Sequence, residues 1–224
     1  MQKMLEEQGR RDKAMKVEAF RRRNLFVKKG QILFCGSSLM EMFPVEELLM
    51  DLGLSITVYN RGVGGFTTTE LLEVLDPCVF QLEPKYIFIN IGTNDLSAED
   101  YTLEGLVARY QSILDQIKAR LPQAVLHLMA YYPVNEPVGL RSFMPDVFTR
   151  RTNRRIAEAN QAVEALAGQN GALFHNFNQG ITAADGSLKE EYTIEGMHMY
   201  PDGYRAVLEE MLEVLKAAGQ DCAG

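Results

Sequence analysis

The segment YIFINIGTNDL, residues 86–96, is the part of the chain that decides the predicted fold. It begins as a short apolar run and ends in glycine, asparagine and aspartate, which is typical of a buried strand followed by a turn. Because each such run is nearly all apolar, we predict strands covered on both faces, as in a parallel sheet. The other four runs are QILFCG (31–36), SITVYN (55–60), VLHLMA (125–130) and ALFHNF (172–177).

Segments with helical spacing of their apolar residues separate these five runs. The last of them begins at Pro201 and Asp202, which are helix-start signals. Strands that alternate with helices indicate a parallel sheet with helices on both faces, a three-layer α/β/α fold. We predict a helical extension over 1–29, a main domain over 30–218 and a tail over 219–224. The predicted helices span 43–52, 68–75, 103–121, 149–168 and 202–218.

The composition fits one α/β domain and argues against some classes of partner. With 224 residues, 46% of them hydrophobic and 24% charged, the chain can bury a core without a disulfide or a metal. A net charge of -7 argues against a nucleic-acid partner, because phosphate binding needs clustered cations. The basic stretch from Arg10 to Lys29 is interleaved with Asp12 and Glu18, so we interpret it as a solvated helix face.

Neither a membrane span nor an export signal is predicted. The N-terminus lacks the apolar segment of a signal peptide, and no apolar run approaches the length of about 18 residues that a span requires. We therefore expect a cytoplasmic protein. The three cysteines, Cys35, Cys78 and Cys222, form no CxxC motif, and the first two are expected to be core or subsurface thiols.

Polar and small residues follow four of the predicted strands. In a parallel sheet these strand ends lie at one edge, where ligand sites form. The segments are GSSL (36–39), NRGVGGFTTT (60–69), GTNDL (92–96) and YYPVNE (131–136). The last one opens the longest irregular segment, 131–148, which is a candidate substrate loop. Its candidate substrate-binding residues are Tyr131, Tyr132, Arg141 and Phe143.

Ser37 and Ser38 stand where the first strand turns into a helix. A serine there can act as a nucleophile, and the backbone N–H groups of a helix start can hold a developing oxyanion. Serine is also a common turn and N-cap residue, so the pair alone does not establish a catalytic role. It is not a GxSxG elbow, because Met40 occupies the position of the second glycine.

The second and third strand-end segments contain possible oxyanion donors. Gly62, Gly64 and Gly65 allow close backbone approach, although a tight turn explains them equally well. The segment fails as a nucleotide-binding loop, since no GK[ST] follows and Thr67 replaces the last glycine of GxGxxG. Asn94 can offer its amide to an oxyanion or cap the strand in an Asx turn, and the neighbouring Asp95 is expected to serve that local capping role or to anchor the loop.

A fourth polar feature is YTIEGMHMYPDGY, residues 192–204, which places His198 three positions after Glu195. A histidine with an acidic partner is the usual general base for a serine nucleophile. His127 and His175 fall within predicted strands and are expected to be packing residues. No histidine has a partner at a metal-ligand spacing, so we predict no metal and no cofactor.

These four segments, in this order, resemble the SGNH (GDSL-type) hydrolases, a superfamily of esterases and acylhydrolases. The resemblance covers residues 31 to about 216 and implies the flavodoxin-like fold of that superfamily, with a five-stranded parallel sheet. It implies a serine nucleophile at Ser38 and a backbone N–H donor at Gly65, five positions after the strand-end Asn60. It also implies a side-chain donor at Asn94 in the block GTND, and a base at His198 in the block EGMH.

Two positions depart from the family pattern. Ser37 replaces the aspartate of GDS, a position that we interpret as supporting. Glu195 replaces the aspartate of DxxH, and its extra methylene lengthens the reach by roughly 1.3 Å. Two arrangements stay open: Glu195 completes a catalytic triad with Ser38 and His198, or it points elsewhere and a Ser38–His198 dyad operates.

The resemblance implies hydrolysis of a small-molecule carboxylic ester through an acyl-serine intermediate, with a short acyl or acetyl group as the expected substrate part. The oxyanion donors would be the N–H groups of Ser38 and Gly65 and the amide of Asn94. The alternative is a catalytically weakened or non-catalytic ligand-binding module on the same fold, disarmed by Glu195. A third hypothesis is a flavodoxin-like or nucleotide-binding protein. The N-terminal helix is a candidate contact for a homodimer.

Overall fold

A five-stranded parallel sheet forms the centre of the protein, in a computed structural model that describes residues 2–223. The strand order is β2-β1-β3-β4-β5, and all four pairings are parallel. The five strands that the apolar runs predict are therefore confirmed, as is the three-layer fold. The strands are β1 (Ile32–Gly36), β2 (Val58–Gly62), β3 (Tyr86–Asn90), β4 (Val125–Met129) and β5 (Leu173–His175).

Helices connect and cover the strands on both faces of the sheet. The predicted helices are all present, with ends that differ by a few residues. Short 3-10 turns cover Asn24–Phe26, Phe80–Leu82, Asp95–Ser97 and Glu190–Tyr192. The helices are α1 (Gln2–Arg23), α2 (Ser38–Glu41), α3 (Val45–Asp51), α4 (Thr68–Glu73), α5 (Leu75–Cys78), α6 (Leu103–Arg120), α7 (Glu136–Leu140), α8 (Pro145–Arg150), α9 (Asn153–Asn170) and α10 (Pro201–Ala223).

Alternate side chains of the strands enter two separate apolar cores. In β1, Leu33 lies in the core shared with α6 and α9, whereas Phe34 lies in the core shared with α3 and α10. In β3, Ile87 lies in the first of these cores and Phe88 lies in the second. Because successive side chains of a strand point to opposite faces, a continuous apolar run is what a sheet with two covered faces requires.

The second strand, the last helix and the segment 131–148 also differ from the prediction. β2 was expected over 55–60 but runs from Val58 to Gly62, because it follows β1 in register up to the pairing of Gly36 with Gly62. The last helix was expected to end at 218 and continues to Ala223. The segment 131–148, expected to be irregular, contains α7 and most of α8, each with a proline near its start.

Helix α1 packs against the sheet domain instead of presenting a uniformly solvated basic face. Val17 and Phe20 are buried in the same core as α4 to α6. Lys13 and Lys16 form ion pairs with Glu70 and with a glutamate of α2. The solvated-face interpretation is therefore wrong for these two lysines, although Arg21 to Arg23 are exposed as expected. Periodicity alone shows which helix positions are polar, and it does not show what faces them.

The expectation that His127 and His175 are packing residues is confirmed. The two rings stack between Phe88 and Phe177, and His127 Nδ1 lies 2.8 Å from His175 Nε2. Burial lowers the pKa of His127 to about 4, and the neighbouring imidazole of His175 adds to this. Burial also lowers the pKa of His175. The His127 ring therefore stays neutral in the folded protein at mildly acidic pH.

This histidine pair predicts an acid-sensitive component of stability. An unfolded histidine has a pKa of about 6.5, so below that pH the unfolded chain takes up protons that the folded pair excludes. We expect the contribution of this pair to the free energy of unfolding to be complete above about pH 6.5 and to fall as the pH drops towards 4. Urea unfolding at a series of pH values measures this. His127→Phe should flatten that part of the profile, and an unchanged slope would contradict the assignment.

Cys35 and Cys78 are buried free thiols, as predicted, and Cys222 is partly exposed. Burial raises the pKa of Cys35 well above its ordinary value and that of Cys78 to about 12. Neither thiol is therefore ionised near neutral pH. Across residues 2–223, no helix is both long and apolar enough to span a bilayer.

Candidate active site

The polar segments that follow the strands meet at the carboxyl edge of the sheet. Ser38 is the first residue of α2, and only Ser37 separates it from β1. Gly64 and Gly65 follow β2, and Asn94 follows β3. His198 belongs to the segment that leads into α10. This is the edge where ligand sites of parallel sheets are found.

Ser38, His198 and Glu195 form a continuous chain of close polar contacts. Ser38 Oγ lies 2.8 Å from His198 Nε2, and His198 Nδ1 lies 2.5 Å from Glu195 Oε1. Since the carboxylate can only accept, it holds the proton on Nδ1 and leaves Nε2 free to accept from the serine hydroxyl. The side chain of His198 is 21% exposed and that of Glu195 only 5%. This series of contacts therefore runs from the protein surface into the interior.

A tight loop over residues 193–199 brings the side chains of Glu195 and His198 into contact. Thr193 and Met199 pair across its base as an antiparallel bridge, and the hydroxyl of Thr193 accepts from the Gly196 N–H at 2.7 Å. Gly196 has φ +111, and a Cβ there would lie 2.7 Å from the Cα of Gly139 in α7. A larger residue at 196 would therefore displace the acid, the base or α7.

The glutamate at position 195 reaches the histidine despite its extra methylene. Its Oε1 contacts the ring and also lies 3.4 Å from the backbone nitrogen of His198. The Glu195 carboxylate thus points at the imidazole, as the triad arrangement requires, and its catalytic role stays a prediction.

The three candidate oxyanion donors are at the same edge of the sheet, on the segments that follow β1, β2 and β3. Within residues 2–223, the N–H groups of Ser38 and Gly65 have no hydrogen-bond acceptor. Asn94 donates one amide hydrogen to the Phe66 carbonyl at 2.9 Å, which leaves its second hydrogen available. Gly65 has φ +77, in the left-handed region that glycine tolerates best. The three donors are those that the resemblance assigns to an oxyanion.

Helix α1 holds the Gly64–Gly65 loop from two sides. Lys13 Nζ donates to the Gly65 carbonyl at 2.8 Å and pairs with Glu70 at 2.7 Å. Lys16 pairs with Glu41 at 2.6 Å, and the same carboxylate accepts from the Gly64 N–H at 2.6 Å. A segment that the sequence places outside the main domain thus contacts the loop that contains a candidate donor.

Asp95 anchors its loop, as the sequence predicts. Its buried carboxylate accepts from the Thr68 backbone N–H at 3.0 Å and from the Thr68 hydroxyl at 2.6 Å. Arg109 Nη2 lies 3.2 Å from the same carboxylate. At the start of α4, Thr67 and Glu70 form a capping box. These contacts tie the β3 loop that contains Asn94 to α4 and α6.

Two of the four residues predicted to bind substrate in the candidate substrate loop are buried. Tyr131 and Tyr132 are only 1% and 2% exposed, and the Tyr131 hydroxyl donates to the buried Ile91 carbonyl. Both rings are core residues and cannot meet a ligand without rearrangement, so this part of the prediction is wrong. Arg141 and Phe143 are exposed, and their substrate role stays a prediction.

Two further details differ from the sequence prediction. Asn60 does not end its strand but lies in the middle of β2, where its side chain accepts from the Gly62 N–H and donates to the Met40 carbonyl. Ser37 makes no helix-capping bond, and its hydroxyl is buried without a partner among residues 2–223. The supporting role assigned to Ser37 comes from its backbone carbonyl, which accepts from Met40 and Glu41.

One buried cation beside the site has no sequence signal. Arg151 lies between α8 and α9, is 4% exposed, and donates to the Asn94 side-chain oxygen at 2.8 Å. The four arginines of the stretch TRRTNRR (149–155) look alike in the sequence. Arg150, next along the chain, forms an exposed ion pair with Glu99. Only their three-dimensional environments distinguish the two.

The sheet topology and the edge at which the polar loops meet define an SGNH-type hydrolase fold. The GDSL-like lipase/acylhydrolase family matches residues 45–206, which is most of the chain, so the protein belongs to this family. It is therefore a carboxylic ester hydrolase. The matched range contains Gly65, Asn94, Glu195 and His198 and begins after Ser38.

Several known proteins are similar over most of this chain. Platelet-activating factor acetylhydrolase IB subunit alpha1 from Bos taurus is 26% identical over 189 residues, which cover 84% of this chain and 76% of the relative. A proposed platelet activating factor from Streptococcus pneumoniae has a structure that is 30% identical, with a TM-score of 0.85 and coverage of 95% of this chain and 97% of the other. A GDSL-like lipase from Bacteroides thetaiotaomicron shares the fold, with a TM-score of 0.74, 20% identity and coverage of 90% and 98%.

Proposed function

We propose that the protein is a serine hydrolase that cleaves short-acyl or acetyl esters through an acyl-serine intermediate. The observation that carries this proposal is the chain of contacts from Ser38 Oγ through His198 to Glu195, at 2.8 Å and 2.5 Å. Distances of this size are the geometry that a nucleophile, base and orienting acid need. The expectation of an acetyl or short acyl group is supported by the name of the bovine relative, an acetylhydrolase.

The proposed reaction has two steps. Ser38 Oγ attacks the ester carbonyl carbon while His198 Nε2 takes the serine proton, and Glu195 stabilises the imidazolium. The N–H groups of Ser38 and Gly65 and the Asn94 amide bind the oxyanion. The bond to the alcohol breaks as His198 returns the proton to the leaving oxygen. Water then gives a proton to His198 and attacks the acyl-serine, which releases the acid and restores the serine hydroxyl.

A fluorophosphonate probe tests the nucleophile. We expect the unmutated protein to be labelled on the peptide that contains Ser38, since the probe reacts with a serine activated by a neighbouring base. The Ser38→Ala variant should not be labelled, whereas Ser37→Ala should be. Mass spectrometry of the labelled peptide identifies the residue. Absence of labelling in the folded, unmutated protein would instead support the alternative, a non-catalytic ligand-binding module.

Hydrolysis of aryl acetate, butyrate, octanoate and palmitate esters tests the acyl-group preference. We expect kcat/KM to be highest for the acetate or butyrate and to fall for the longer chains. A maximum at octanoate or palmitate would contradict the short-acyl part of the proposal and leave the serine mechanism intact.

The cytoplasmic location, a homodimer through α1, and the lack of a nucleic-acid partner, metal or cofactor stay predictions.

A further inference from the structure

Arg151 is a buried cation without a direct ion pair. It is 4% exposed, and no carboxylate among residues 2–223 lies within ion-pair distance of its guanidinium. Burial lowers the pKa of Arg151 to about 10, while the carboxylates of Glu195 and Asp95 favour its charged form from further away. Burying a cation with so little compensation costs stability. Groups whose pKa values are shifted by burial and by nearby charges cluster at functional sites, although structural networks shift them too.

The three hydrogen bonds of Arg151 connect the two halves of the candidate site. Nη2 donates to Asn94 Oδ1 at 2.8 Å, on the loop that follows β3. Nη1 lies 2.9 Å from the sulfur of Met197, inside the loop between Glu195 and His198. Nε donates to the Ser97 hydroxyl at 3.0 Å. One rigid, planar group therefore contacts both the loop with the amide donor and the loop with the acid and base.

The contact with Asn94 determines which way its amide faces. A guanidinium has donors only, so the atom facing Arg151 must be the side-chain oxygen. The Phe66 carbonyl is an acceptor only, so the atom 2.9 Å from it must be Nδ2. Both partners demand the same orientation. With the oxygen held by Arg151, the remaining amide hydrogen of Asn94 is the one available to a developing oxyanion.

We propose that Arg151 is a positioning residue that orients the Asn94 amide as an oxyanion donor and fixes it relative to the Glu195–His198 loop. This inference rests on the proposed serine mechanism. The orientation of the Asn94 amide by Arg151 would stabilise the transition state, because the oxyanion develops only as the serine attacks. The loss of Arg151 should therefore lower kcat and leave KM nearly unchanged.

A double-mutant cycle tests the proposal with an aryl acetate as substrate. We expect Asn94→Ala to lower kcat on the order of 10²–10³-fold, the usual effect of losing one oxyanion donor. Arg151→Met, which keeps the apolar stem, should lower kcat by about 10- to 100-fold as the amide loses its fixed orientation. In the double variant, kcat should match that of Asn94→Ala alone, because without the amide there is nothing left to orient.

The neighbouring Arg150→Met is the matched control. Its guanidinium forms an exposed ion pair with Glu99 and donates to the Ser97 carbonyl at 3.3 Å, but it has no contact with Asn94 or Met197, so kcat should stay within a few-fold of the unmutated protein. Arg151→Lys keeps the charge but offers its donors from a single nitrogen, and we expect it to recover part of the kcat that Arg151→Met loses.

Independent effects in the cycle, in which the two losses multiply, would overturn the proposal and reduce Arg151 to a structural residue. So would a loss that falls on KM. If Arg151→Met unfolds at the assay temperature, the same cycle with Arg151→Lys tests the proposal. The coupling between positions 151 and 94 is then measured on the lysine variant. Fluorophosphonate labelling keeps the two proposals distinct. Labelling of Ser38 together with a multiplicative cycle overturns the Arg151 role alone, whereas the absence of labelling overturns the serine mechanism itself.

Discussion

Ser38→Ala and His198→Ala should each lower kcat on an aryl acetate by a factor on the order of 10⁴–10⁶. Ser38 Oγ and His198 Nε2 lie 2.8 Å apart and would act as one unit, because the serine is a weak nucleophile until the imidazole takes its proton. The double variant should therefore be no slower than either single variant. Steady-state kinetics with subtraction of spontaneous hydrolysis measure these effects.

Ser37→Ala is the matched control for Ser38. The Ser37 hydroxyl is buried and makes no hydrogen bond within residues 2–223, so its removal should leave kcat within a few-fold of the unmutated value. Thermal unfolding should show that all four variants are folded. If Ser37→Ala lost activity and Ser38→Ala kept it, the nucleophile would be misassigned. If the double variant were much slower than both single variants, the two residues would not form a unit.

Glu195→Gln should lower kcat on the order of 10³–10⁴-fold, by analogy with the loss of the orienting acid in serine proteases. The carboxylate lies 2.5 Å from His198 Nδ1 and is 5% exposed, so water cannot readily replace it. An amide at this position stabilises the imidazolium less and permits the wrong tautomer. Kinetic measurement on the folded variant, verified by near-UV circular dichroism, gives the effect.

Two variants make the Glu195 result specific. Glu191→Gln removes a nearby exposed carboxylate and should leave activity unchanged. Glu195→Asp keeps the charge but shortens the side chain by roughly 1.3 Å, so we expect an activity between those of Glu195→Gln and the unmutated protein. Activity of Glu195→Gln within a few-fold of the unmutated protein would show that a Ser38–His198 dyad suffices and that the close contact of Glu195 has no catalytic role.

Much of the site could be predicted because residue types and strand ends are local features. Ser38, Gly65, Asn94 and His198 each follow or precede an element that the apolar pattern locates, and the structure brings all four to one edge. The prediction failed for Tyr131 and Tyr132, which are buried in the core. A tyrosine that follows a strand has the same local sequence pattern whether it faces a cleft or the interior. That pattern carries no information about the element that packs against the side chain.

The sequence by itself determined the layer architecture and the chemical types at the strand ends. Alternating apolar runs and helical spacings are short-range patterns that backbone geometry converts directly into strands and helices. Only the tertiary structure decided that Glu195 reaches the imidazole, that Lys13 holds the Gly65 carbonyl, and that Arg151 meets Asn94 from 57 positions away. Such contacts depend on the packing of distant elements and on the conformation of each side chain, and no local periodicity records either of them.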